Sequence, residues 1–175
     1  MKVNLKNSTI PIKIRQKKFL DHRGYFQEIF LKKKFNLNIK FTAIAKSKKN
    51  VIRGLHFQLK NKQTKFLYVV EGKILDVAIN LKKKSKNFGK VYKFQLNPGY
   101  SLFIPKGYAH GYYTYEKENI VLYVMDNFQR TEYEDGINIF DKKFKFAFKN
   151  KKFTISNKDK NWQSFDEFSK NIKSL

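Results

Sequence analysis

The feature that most constrains this chain is its rhythm. Short β-branched and aromatic runs recur, and each stops at a turn. Residues 65–70 (KFLYVV) and 74–81 (ILDVAINL) flank Glu71-Gly72-Lys73, which is a hairpin signal. Residues 90–96 (KVYKFQL) alternate and end at Asn97-Pro98-Gly99. Residues 100–104 stop at Pro105 and turn at Lys106-Gly107; 108–115 and 119–125 read as two more strands, and 25–30 and 40–45 as two earlier ones. Strands at roughly 8–12-residue spacing with such turns predict an all-β sandwich or barrel. Helical periodicity is confined to the end. Ser164-x-x-Glu167 has the form of a capping box, and Phe165, Phe168 and Ile172 share one stripe. Residues 144–153 (FKFAFKNKKF) alternate aromatic and Lys at first, which predicts an edge strand or an extended arm.

Charge narrows the function less than it promises. The 175 residues hold 38 Lys+Arg against 14 Asp+Glu, a net +24. Four of the basic residues are Arg: Arg15, Arg23, Arg53 and Arg130. Base-edge and bidentate phosphate readout favour the planar Arg fork, so this balance argues against a nucleic-acid partner. The lysines cluster between apolar runs, where edge Lys discourages strand-to-strand aggregation. The absence of cysteine excludes a disulfide scaffold and a thiol nucleophile. No run approaches the ~20 apolar residues of a membrane span, and the first residues lack the apolar segment of a signal peptide. The expectation is one cytoplasmic domain over 1–175 with a helical extension at about 160–175, and no membrane partner.

Two of the three histidines stand in distinctive settings. His56 lies in Val51-Ile52-Arg53-Gly54-Leu55-His56-Phe57-Gln58, and His110 in Gly99-x5-Pro105-x-Gly107-x2-His110. The second spacing is the second signature of the cupin jelly-roll. Metal-binding cupins also need a His-x-His pair and a carboxylate earlier, where this chain offers His56, Phe57 and Gln58. Two imidazoles without a third ligand make a poor catalytic metal site, so no metal is expected. His22 reads as a turn residue.

Arg53-Gly54-Leu55-His56-Phe57-Gln58, then Lys65, then Gly107-Tyr108-Ala109-His110-Gly111 resembles the dTDP-4-dehydrorhamnose 3,5-epimerase family. The likeness runs from about residue 12 to 159 and includes 21–28 (DHRGYFQE), 72–80, 88–90, 121–123 and 134–137. The resemblance implies a cupin/jelly-roll β-sandwich with a short C-terminal helix. It also implies a homodimer that exchanges an N-terminal strand, and a nucleotide-diphosphate 4-keto-6-deoxy sugar as substrate, in making surface-polysaccharide precursors. The C4 ketone acidifies C3 and C5, so inversion needs a base on one face and an acid on the other. No cofactor is expected if a cation stabilises the enolate oxygen.

By resemblance, His56 is the base, Asp159 its carboxylate partner, Tyr123 the opposite-face acid and Lys65 the cation for the enolate. Asp76 is a competing or additional polar partner; Asp is unusual in a strand. Arg23, Glu28, Arg53, His110, Gln58 and Glu134 are expected to bind substrate. Two departures stand out. Relatives carry a Gln-x-Asn-x-Ser pattern before Arg-Gly-Leu-His, where this chain reads Phe41-Thr42-Ala43-Ile44-Ala45-Lys46-Ser47. They also carry a second tyrosine six residues after the acid, where this chain has Gln129. These leave open the nucleotide, the sugar and the number of inverted centres. The alternatives are a single-centre epimerase of a GDP-4-keto-heptose, a 3,4-ketoisomerase and a non-catalytic nucleotide-sugar-binding cupin.

Overall fold

The computed structural model describes residues 8–35, 37–144 and 152–172. Two sheets face each other. One has the order β1(Ile12–Arg15), β9(Tyr100–Ile104), β6(Lys65–Glu71), β11(Glu118–Met125), β4(Phe41–Lys48). The other runs β12(Glu134–Gly136), β5(Val51–Gln58), β10(Tyr108–Thr114), β7(Ile74–Asn80), β8(Val91–Leu96), with β13(Thr154–Ile155) parallel to β5. The other pairings are antiparallel, as turn-linked short strands require. A separate hairpin, β2(Lys18–Asp21) and β3(Gly24–Gln27), has His22 in its turn.

Three apolar clusters follow from strand alternation. Leu67, Val69, Ile74, Ala78, Leu102, Tyr112 and Val121 fill the space between the sheets. The outer face of the second sheet presents Ile52, Leu55, Phe57, Val77 and Ile79, and α3(Phe165–Asn171) covers it with Phe165 and Phe168. The outer face of the first sheet presents Phe66, Tyr68, Phe103 and Val124 against Phe35 and Leu37; α1(Lys32–Phe35) ends at Phe35. The expected capping box is present: Ser164 accepts from the Glu167 N–H, and Glu167 accepts from the Ser164 N–H.

Most expected strands lie within a residue or two of their observed bounds. The run 25–30 is shorter, ending at Gln27, and 40–45 is longer, extending to Lys48. Strand β5 is central although Gly54 interrupts its pattern. The expected helical extension is α3 itself, preceded by the one-turn α2(Asn157–Lys160). The strand or arm expected at 144–153 lies largely outside the described residues.

Candidate active site

Strand β5 turns Leu55 and Phe57 into the outer core, so His56 between them faces the space between the sheets. A glycine at 54 permits this. A Cβ there would lie 2.7 Å from Gly111 Cα and from the His110 carbonyl, so β5 could not close on β10. In that register His56 stands opposite His110 on one side and Gly136 on the other.

Asp159 reaches His56 from α2. The Ser156 hydroxyl caps that turn by accepting from the Asp159 N–H at 3.0 Å. Asp159 Oδ1 is 2.6 Å from His56 Nε2, and Oδ2 accepts from the Gly54 N–H at 3.1 Å. Burial pushes this carboxyl up, but the hydrogen bonds from His56, Gly54 and Trp162 outweigh it and hold it below the usual range. With Nε2–H donated to Asp159, Nδ1 carries the lone pair that takes a proton. Glu134 Oε1 lies 3.6 Å from that nitrogen and Lys158 holds its other oxygen at 2.8 Å.

A second imidazole–carboxylate pair lies deeper. His110 Nε2 is 2.6 Å from Asp76 Oδ2, both buried. Burial pushes the His110 imidazolium down and outweighs the raising effect of Asp76. Among the described residues, Asp76 Oδ1 has no hydrogen-bond partner although it is buried. Lys65 and Tyr123 come from the opposing sheet. Loss of water around the Lys65 ammonium lowers its pKa to about 8, although the charges of Glu134 and Asp76 raise it. Burial, then the neighbours Tyr112 and Asp76, push the Tyr123 phenol well up, so it holds its proton at neutral pH.

These side chains line one cavity of about 250 Å³: His56, Arg53, Gln58 and Glu134 from the β5 side, His110 from β10, and Lys65 and Tyr123 across from them. Arg53 is anchored through Nε to Ser47 Oγ at 2.9 Å. Gln58 ties down the loop after β11, donating to the Arg130 carbonyl at 3.1 Å. Arg23 and Glu28 are not brought to this cavity within one chain. Both are exposed, and Arg23 pairs with Asp21 at 2.7 Å. Among the described residues no three His, Asp or Glu side chains are grouped as a metal site would need.

The family model of dTDP-4-dehydrorhamnose 3,5-epimerase matches residues 9–167. The chain belongs to that family. It is 34% identical to the dTDP-4-dehydrorhamnose 3,5-epimerase of Methanothermobacter thermautotrophicus over 159 residues, 85% of this chain and 86% of that one. Among solved structures, the Bacillus anthracis enzyme with TDP and PPi bound superposes with TM-score 0.85 at 30% identity, over 90% and 95% of the two chains. The Legionella pneumophila epimerase in complex with dTDP-4-keto-L-rhamnose superposes with TM-score 0.84 at 27% identity, over 93% of each.

Within this dTDP-4-dehydrorhamnose 3,5-epimerase fold, several cavity residues escape motif reading. The register places Tyr123 between Leu67 and Ala43, and Met125 between Lys65 and Phe41. Phe41, Ala43, Ala45 and Met125 therefore make an apolar wall beside the polar groups. Alternation along 41–47 is the signal for it, because every second residue of β4 is exposed. Gln129 and Gln63 also line the cavity, Gln63 bonded to the Asn127 carbonyl at 3.1 Å. Trp162 carried no motif; its place three residues after Asp159 is the available hint.

Proposed function

We propose that this protein inverts C3 and C5 of a nucleotide-linked 4-keto-6-deoxy sugar, without a cofactor, in the making of surface-polysaccharide precursors. The observation that carries this is the opposition of His56, held by Asp159, and Tyr123 across one cavity, with Lys65 on the same wall as Tyr123. His56 Nδ1 removes the proton next to the ketone. The negative charge moves to O4, where the Lys65 ammonium stabilises it. Tyr123 then gives its proton from the other face, and the configuration inverts; His56 releases its proton to solvent and the Tyr123 phenolate takes one back before the next centre is inverted. The cavity's roughly 250 Å³ is below the roughly 300–1,000 Å³ that engulfs a drug-sized ligand, so it takes the sugar and leaves the nucleotide at the mouth. Arg53 at that mouth supplies charge for the diphosphate. Asp76 fixes His110 beside the ring.

The same reading assigns Arg23 and Glu28 to the partner's site in a homodimer. Strand β1 pairs with β9 of its own chain, and in this reading hairpin β2–β3 is the piece that reaches across. It exposes Phe19, Leu20, Tyr25 and Phe26. A lone two-stranded hairpin is marginal in water, and such a patch calls for cover. We infer a cytoplasmic site of action from the proposed nucleotide-sugar substrate.

The test is exchange in deuterated water with dTDP- and GDP-linked 4-keto sugars. Label should enter C3 and C5 of a dTDP-4-keto-6-deoxyhexose, and His56→Ala should lower it by about 10²–10⁴-fold. Label at one carbon would assign a single-centre epimerase, a reading that Gln129 on the cavity wall favours. No exchange with any candidate overturns the proposal.

A further inference from the structure

The chain's single tryptophan lies against the histidine–carboxylate pair. Trp162 Nε1 donates to Asp159 Oδ1 at 3.2 Å, the same oxygen that His56 Nε2 meets at 2.6 Å. Its ring stands edge-on to the His56 imidazole, centroids 5.9 Å apart and planes at 73°. The indole rests over Gly136, the residue opposite His56 in the β5–β12 register. A Cβ at position 136 would lie 2.3 Å from Trp162 Cδ2. The Lys158 ammonium lies 5.3 Å from the ring centroid while it pairs with Glu134. So two elements distant in sequence, β12 and the turn after α2, build one seat for one ring.

We propose that Trp162 is a positioning residue for the His56–Asp159 pair. Its indole N–H holds the carboxylate, and its edge fixes the plane of the imidazole, on the seat that Gly136 leaves open. The inference rests on the reading of His56 as the base. A carboxylate oxygen shared by two donors is a weaker partner for either one. The indole N–H thus keeps Asp159 an oriented acceptor and limits how strongly it stabilises the imidazolium. Other charged and titratable groups face the imidazole as well: Glu134 from β12, His110 from β10, and Lys65 and Arg53 around the cavity. Trp162→Phe removes the N–H bond to Asp159 and also trims the ring that His56 and Lys158 contact, so it is read beside Gly136→Ala, which keeps the N–H.

The first readout needs no substrate. The three histidines give few ring-proton resonances, and the His56 titration is followed by NMR. In Trp162→Phe its midpoint moves to higher pH, while an amide spectrum as dispersed as that of wild type reports an intact fold. Gly136→Ala keeps the indole N–H but lifts the ring from its seat, and moves the His56 midpoint the same way. Coincident His56 titrations in wild type and both variants overturn the proposal. The second readout is deuterium exchange with the substrate identified above. Trp162→Phe lowers kcat about 10-fold, the lower end of the loss when an orienting partner of a metal-bound imidazole is removed, with KM within about 2-fold. Its acid limb moves up by the same interval as the NMR midpoint. A loss confined to KM, or an unmoved limb, also overturns it. If no sugar exchanges in wild type, the assigned function fails, and the NMR comparison still decides whether Trp162 tunes His56.

Discussion

In the proposed mechanism, the buried charge of Lys65 sets the working range. Desolvation lowers its ammonium from 10.5 to about 8, against the raising pull of Glu134 and Asp76. The protonated form is the one that stabilises an enolate oxygen, so activity is present below about 8 and lost as pH rises through it. The expected profile of kcat/KM therefore has a basic limb near 8. Asp76→Asn removes one of the two negative charges that keep Lys65 protonated, so the limb should move to lower pH. A limb that stays put in Asp76→Asn, or one near 10 in wild type, would show that burial does not govern this lysine. Tyr123 is the complementary case. Burial drives its phenol up, so it donates without ionising first. Tyr123→Phe should impair net inversion more than the washout of label, measured in the same deuterium experiment.

At the scale of elements, the C-terminal segment is both a cover and a lever. Helix α3 has seven residues, too few to stand alone in water. Its capping box closes the first turn, and Phe165 and Phe168 bury its stripe against Phe57, Phe88 and Phe144. Ser164→Ala should cost about 1 kcal/mol, and Phe165→Ala about 3–5 kcal/mol. Both should lower the denaturant midpoint without changing the slope. The same segment carries Asp159 and Trp162 to β5, so Phe165→Ala should also reduce turnover near its unfolding transition. The strands were legible because period 2 and the Gly/Pro turns are local properties. Strand β5 was not, because Gly54 serves a neighbour, Gly111, that no local pattern reveals.

At the scale of the molecule, the exposed hairpin and the stranded Arg23 argue for two copies. Sedimentation should show a dimer, and Leu20→Ser with Phe26→Ser should shift it toward monomer. A sharper expectation concerns mixed dimers. Arg23→Ala and His56→Ala chains, each inactive alone, should regain activity when co-expressed. Recovery should reach about a quarter of wild type, the share of intact sites in a random mixture of two-fold dimers. No recovery in a verified mixed dimer would place Arg23 outside the partner's site. Most of the +24 charge is solvated lysine outside the cavity; if it also draws the diphosphate of the proposed substrate, kcat/KM should fall as salt is added.

The sequence alone determined the fold class, the family resemblance and the residue types of the chemistry. Alternation, turn residues and the Arg-Gly-Leu-His and Pro-x-Gly-x-Ala-His-Gly spacings are written in neighbouring positions. The tertiary structure decided which of them meet. It set Asp159 on His56 and Asp76 on His110, dividing two carboxylates between two imidazoles that sequence left in competition. It gave the 41–45 stretch a wall of the cavity and gave Trp162 a seat on Gly136. It also left Arg23 and Glu28 outside that cavity. The reason is physical: strand register and glycine-permitted close approach join residues a hundred positions apart, and neither leaves a mark on the local pattern of the chain.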